Sequence, residues 1–303
     1  MFFVMMILWF LLFSPSEAYA WGPGTHVEMA MRILADATFV VPFIARLIQQ
    51  FPEDFIYGVT SPDIIVGKKY AGYHHHCHNW RMGKLILSEA QTDRQRAASY
   101  GYLVHLAMDV VAHNYYVPFK IVRSYPTRLL SHTYWEMRFD LKVPDEAWAQ
   151  LAKIPVHSID EFDQLLERVL RKTLFSFSTN KRIFNTILII QKMRSTRETL
   201  KLYAMQSQWE LEEENRQRYL DLTWNSVRGF LSDPEHAPCL QVDPAGLKRL
   251  AYAKNLRHRI RGMLDRGILT TEQAETLVGL CRERLEKQLF APEEPLPDVI
   301  DVL

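Results

Sequence analysis

Residues 101–118 read GYLVHLAMDVVAHNYYVP, and the fold turns on this stretch. His105, Asp109 and His113 stand at i, i+4 and i+8. At 100° per residue they fall within an arc of about 80° on one side of a helix. Between them lie Leu103, Val104, Leu106, Ala107, Val110 and Val111, so apolar surface covers nearly the whole circumference and the helix is buried. A single His or Asp in such a helix reads as a satisfied hydrogen-bond partner. Three in register are costly unless metal coordination offsets the burial, and this favours a metal site. The pattern predicts one helix over Thr92–Val117, with Asp93 near its start and Pro118 ending it.

Outward from this helix the chain keeps a helical period. Thr25–Gln50 carries helical spacing broken at Pro42. Further helices are predicted over Ser131–Leu141 and near 144–153, 159–175, 182–206, 208–231, 244–265 and 270–290. Alternating strand patterns are scarce, so the fold class is all-α. Tyr57–Tyr73, with Gly58, Pro62, Gly67 and Gly72, predicts a loop. Ser232–Pro244 holds three prolines and predicts a boundary between a main domain, 21–235, and a C-terminal helical extension, 245–290. The Pro-rich acidic tail, 291–303, reads as disordered.

Composition narrows the class. With 303 residues, 48% of them hydrophobic, the chain can bury one substantial core. Lys+Arg of 36 against Asp+Glu of 35 leaves a net charge of +1, too little to draw the protein as a whole onto nucleic acid. Three cysteines, Cys77, Cys239 and Cys281, cannot build a disulfide framework, although one bridge between Cys239 and Cys281 is conceivable. Of 11 histidines, eight lie between His26 and His132, which places the chemistry in the first half.

The beginning of the chain carries its own signal. Met1–Phe13 is almost wholly apolar, and Ala18-Tyr19-Ala20 follows as an A-x-A cleavage motif. This reads as a secretory signal over residues 1–20, removed after Ala20. The alternative is an uncleaved membrane anchor, which the missing Lys or Arg before the apolar run favours. Cleavage makes Trp21 the new N-terminus, so its amine and carbonyl could chelate an ion, with Gly22-Pro23-Gly24 turning His26 toward it. Alone, Trp21 reads more readily as a core aromatic.

Other candidate ligands surround this core. SHTYWE sets His132 and Glu136 at i and i+4, able to grip one ion from adjacent turns. The tract YHHHCHNW offers His74, His75, His76 and His78, not all of which can serve. Asp63, after Pro62, can point inward from its loop.

In order and spacing, Trp21, His26, Asp63, His76, His105, Asp109, His113, His132 and Glu136 resemble the ligands of the zinc-dependent phospholipase C family, whose fold is shared by the P1/S1 nucleases. The resemblance implies a multi-helix bundle with a trinuclear site holding about three zinc ions. The first would take Asp63, His76, His105 and Asp109; the second His113, His132 and Glu136; the third Trp21, His26 and the other oxygen of Asp109. His76 is chosen from the tract by its spacing from Asp63. Asp63 would double as general base. The implied reaction is phosphodiester cleavage of a phospholipid at a membrane surface, giving diacylglycerol and a phosphorylated headgroup, with no stable nucleic-acid complex. Imidazole and carboxylate ligands without thiolate suit zinc, which makes hydroxide available near neutral pH.

Departures from the family pattern matter too. The five-residue step from Trp21 to His26 is that of the nucleases, whereas Glu136 is the phospholipase choice. The four-residue step from Asp109 to His113 is shorter than either relative uses. Ile64 stands after Asp63 where the best-known bacterial phospholipase has an aromatic that helps to hold choline. A secreted single-strand nuclease, a non-catalytic metal-binding protein of this fold and a membrane-anchored interaction protein remain the alternatives.

Overall fold

The computed structural model describes residues 21–65, 77–127, 132–153, 160–170, 175–205, 209, 211–291 and 295–303. The regular structure of these residues is entirely helical. Among them no helix is long and apolar enough to cross a membrane. The leader assigned to residues 1–20 lies outside the described residues.

Three helices in succession open on proline: α1 (Pro23–Ala35), α2 (Pro42–Gln50) and α3 (Pro52–Thr60). The absent N–H costs nothing in a first turn, so Pro42 starts a helix as well as interrupting the predicted one. The loop expected from Tyr57 begins later. Helix α3 runs on to Thr60 and passes into a 3-10 turn, Ser61–Ile64. A helix absent from the sequence reading, α4 (Trp80–Ser88), is capped by Asn79, whose side chain accepts from the Met82 amide at 2.7 Å.

Helix α5 (Asp93–Val111) is the axis of the fold. Thr92 and Gln95 form a capping box at its start, satisfying two otherwise orphaned amides. Helices α2, α3 and α4 pack around it. The crossing with α3 is close enough to bring backbone against backbone. A Cβ on Gly58 would lie 2.8 Å from Ala98 Cα, and one on Gly101 2.8 Å from the Val59 nitrogen. Gly58 therefore belongs to a helix crossing, although its residue type reads as a turn.

Pro118 does not end this helix. The chain widens into a π-helical turn, Ala112–Tyr116, and continues as α6 (Val117–Arg123) with Pro118 in its first turn. The Val117 amide bonds to the Ala112 carbonyl, five residues back, and the wider turn accommodates the proline ring.

Helices α7 (His132–Asp140), α8 (Asp145–Lys153) and α9 (Asp160–Val169) follow. The single helix expected over 182–206 is two, α10 (Phe177–Lys192) and α11 (Arg194–Met205), broken by the extended backbone of Met193. Helix α12 (Glu213–Ser232) packs along α5.

The C-terminal helices α13 (Leu247–Asp265) and α14 (Thr271–Lys287) depart from the expected separate extension. Both pack on α6 and on the π-helical turn. Tyr115 donates to Glu286 at 2.7 Å and Tyr125 to Glu275 at 2.8 Å. Buried Ala253, Leu256, Ile260, Leu277 and Leu285 join the one continuous core. The disordered tail expected over 291–303 also requires correction, because residues 295–303 are folded back on this pair. Tyr252 donates to the Pro297 carbonyl at 2.5 Å, Gln273 to that of Val302 at 2.7 Å, and Val299 is buried. Proline suppresses helix there without preventing docking. Cys239 and Cys281 are not bridged; all three cysteines are free and buried.

Candidate metal centre

The crossing of α3 on α5 creates the site. It brings the Val59 carbonyl to His105, whose Nδ1 donates to it at 2.7 Å. The 3-10 turn that follows α3 swings Asp63 over the same ring, with Oδ1 at 4.0 Å from His105 Nε2. One turn along α5, Asp109 places Oδ2 at 3.1 Å from that Nε2. His78 enters from the start of α4. Its Nε2 lies 3.2 Å from Asp63 Oδ1, 3.2 Å from Asp109 Oδ2 and 3.0 Å from His105 Nε2.

Four ligand atoms thus converge: Asp63 Oδ1, His78 Nε2, His105 Nε2 and Asp109 Oδ2. Zinc–nitrogen distances of about 2.0–2.1 Å imply about 3.3 Å between ligand atoms in a tetrahedron. The separations of 3.0–3.2 Å from His78 to its three neighbours and from His105 to Asp109 fit this spacing, while Asp63 and His105 are wider apart at 4.0 Å. Asp109 Oδ1 faces the other way, 3.3 Å from Nε2 of His26 on α1. His26 and His105 stack with ring centroids 3.9 Å apart.

Contacts at Nδ1 set the chemistry at Nε2. His26 turns Nδ1 to Met108 Sδ at 3.1 Å, His105 gives Nδ1 to Val59, and His113 gives Nδ1 to the Pro244 carbonyl at 2.6 Å. A proton held on Nδ1 leaves the lone pair on Nε2, the form that binds metal. Burial, then the neighbouring His105, lowers the His26 pKa to about 4, so this ring is neutral at pH 7. Burial alone would raise Asp109. The electrostatic influence of His105, with His26 and His78 also close by, outweighs it and holds the carboxyl well below its usual range.

The residues fit a cation. Asp109 is fully buried, and neither of its oxygens nor Nε2 of His26 has a well-oriented hydrogen bond. Two sets, His26–Asp63–His105 and His78–His105–Asp109, each hold their ligand atoms within 4.8 Å of one another. Facing nitrogens and carboxylates this far from water are costly without a positive centre among them.

The remaining expected residues divide. His113 stands at the margin, with Nδ1 4.0 Å from Asp109 Oδ2. Glu136 is buried on α7, near enough to Tyr116 for its charge to act on that phenol. His132 starts the same helix, and its side chain lies outside the described residues. The Trp21 ring is a core aromatic, stacked on Tyr116 at 4.9 Å and donating from Nε1 to the Met108 carbonyl at 3.1 Å. His76 lies outside the described residues. His78, passed over in the sequence reading, stands in the quartet; the available signal was its place next to the helix cap Asn79.

Asp140 ties α7 to α1. Its carboxylate accepts from the Gly24 amide at 2.9 Å, the Thr25 amide at 3.0 Å and the Thr25 hydroxyl at 2.6 Å. Burial raises its pKa to about 6 despite these donors. The contact fixes the turn that delivers His26. A groove of about 640 Å³ includes Trp80, Arg81, Asn114, Pro244, Leu247 and Lys248 in its lining, so it reaches the immediate neighbours of His113.

A family model described as zinc dependent phospholipase C matches residues 25–181. That span takes in every expected ligand from His26 to Glu136 and stops before the C-terminal helices. No curated protein and no solved structure gives a match.

Proposed function

The chain belongs to the zinc-dependent phospholipase C family, and on that premise we propose that it is an exported phospholipase C releasing diacylglycerol and a phosphorylated headgroup. The observation that carries the reading is the buried cluster of Asp63, His78, His105 and Asp109 within the matched span, with His78 and Asp109 bringing ligand atoms to within 3.0–3.2 Å of their neighbours. Zinc held there supplies Lewis-acid polarisation of the phosphoryl oxygen and activation of the attacking water.

The chain's own residues do the rest. Asp63 and Asp109 bring negative charge to the ions, and His105 is held in its metal-binding form by Val59. Asp63 accepts the proton of the water in this proposal. Asp109 uses its second oxygen toward His26, and this supports a further ion there. Trp21 would complete that site through its amine once Ala20 has been removed. With His113, His132 and Glu136 as the remaining set, the total is about three ions. The groove beside His113 presents Trp80 and Leu247 with Arg81 and Lys248. Apolar and cationic groups side by side suit an amphiphile carrying a phosphate.

The five-residue step from Trp21 to His26 keeps a P1/S1-like nuclease as the second reading. The test uses protein processed to begin at Trp21, its zinc content measured, and turnover compared on short-chain phospholipids and single-stranded DNA. Bound zinc with phospholipid cleavage is expected. Cleavage of DNA alone would transfer the chain to the nuclease reading, and zinc without turnover on either would leave a metal-binding protein.

A further inference from the structure

The ring of His113 is held from outside the span that the family model covers. Its Nδ1 donates to the Pro244 carbonyl at 2.6 Å. Next to it, Asn114 donates from Nδ2 to the Asp243 carbonyl at 2.8 Å and to the Val110 carbonyl at 3.0 Å. Two successive residues of the π-helical turn are therefore bonded to two successive carbonyls of the loop leading into α13.

That loop is built to hold its shape. The Asp243 carboxylate accepts from the amides of Ala245 at 3.1 Å and Leu247 at 3.2 Å. The Gly246 amide donates to the Asp243 carbonyl at 3.0 Å. Gly246 has φ of +57°, in the left-handed region, and a Cβ there would lie 2.6 Å from the Cβ of His113. Glycine is required twice, by the backbone angle and by the contact.

We propose that residues 243–246 are a positioning clasp for the metal centre: the loop fixes the tautomer and orientation of His113, so the C-terminal helices, which hold no ligand, set the affinity of the ion that His113 binds. The proposal rests on the reading of His113 as a ligand. A carbonyl on one nitrogen of a ligating imidazole makes the other nitrogen, here Nε2, more basic and removes the ring's rotational freedom. Loss of such a partner typically costs roughly 10–100-fold in metal affinity. Asp243 and Gly246 act on the ion only through His113, so they are positioning residues.

The experiment measures zinc per chain and the dissociation constant of each ion by chelator competition, with a thermal melt to establish folding. Gly246→Ala is compared with Gly267→Ala, which has a similar φ of +66° and open space around its Cβ. In Gly246→Ala, one ion is expected to weaken roughly 10–100-fold and the others to stay unchanged. Gly267→Ala is expected to lower the melting temperature and leave every ion unchanged. Asp243→Ala removes the loop's internal caps without adding bulk, and decides the question if Gly246→Ala does not fold. Selective weakening of the same single ion is again expected. Unchanged affinities in a folded variant, or equal weakening of all ions, would overturn the clasp. His113→Ala separates this from the underlying reading. If it keeps every ion, His113 is no ligand; if it loses one that Asp243→Ala and Gly246→Ala retain, only the clasp fails.

Discussion

Helix α5 and the helix pair α13–α14 both meet the π-helical turn around His113, and they act on it by different means. Helix α5 contributes side chains, His105 and Asp109, whose burial is costly without a cation. The C-terminal pair contributes a backbone carbonyl, that of Pro244, and the apolar mass that keeps it in place. The first contribution is written in residue type and period. The second depends on where a main-chain atom ends up after folding. A segment that offers no ligand can still fix a buried imidazole through its backbone.

Removing the C-terminal pair is expected to have the largest effect. Truncation after residue 235 uncovers α6 and deletes Leu256, Ile260, Leu277 and Leu285 from the core. Each such loss is worth about 2–5 kcal/mol by analogy with Leu→Ala, against a total stability of about 5–15 kcal/mol. The truncated chain is expected to show no cooperative melt by circular dichroism. A cooperative melt with zinc retained would restore an independent domain ending at 235.

The next largest effect concerns α5 itself. Asp109→Asn removes the carboxylate that faces both the quartet and His26. Turnover is expected to fall by at least about two orders of magnitude, beyond the 10–100-fold typical of an outer partner, with more than one zinc lost per chain. Glu136→Gln is expected to lose one. Equal losses in metal analysis would argue against a bridging role for Asp109.

The smallest effect lies between the two regions, at Lys120 on α6. Its amino group is buried over the rings of Trp135, Phe119 and Tyr116 at 5.3, 5.8 and 6.0 Å. Burial, then Arg123 and Arg282, lowers its pKa to about 7; Glu212 opposes the shift and Arg138 adds to it. Below pH 7 the folded protein carries the full cost of a desolvated charge. Between pH 7 and about 10.5 the unfolded chain binds the extra proton, so stability rises with pH. Lys120→Met is expected to stabilise by on the order of 2–3 kcal/mol at pH 6, less than the shift alone would suggest because cation–π attraction is lost. The gain should shrink toward pH 10 in melts recorded across that range. A gain independent of pH would mean that packing, and not charge, is responsible.

Much of the centre was legible. His105, Asp109 and Asp63 converge as their spacing and placement predict, and His26 joins them through the turn that Asp140 anchors. His78 was not legible, because spacing alone cannot choose among four histidines in an irregular tract. His78 directly precedes Asn79, the cap of α4, and a cap is recognised only when its helix is seen. Pro118 misled for a related reason: a proline ends an α-helix, while a π-helical turn lets the chain pass it.

Taken alone, the sequence determined the helical class, the burial of the central helix and the kind of atom that would line its polar side. Those follow from period and residue chemistry, which are local. Only the tertiary structure decided that Gly58 and Gly101 serve a helix crossing, that the tail docks, and that a loop some 130 residues away holds His113. These depend on backbone atoms, which every residue carries alike, so no choice of side chain announces them. Their meeting is determined by how the helices pack.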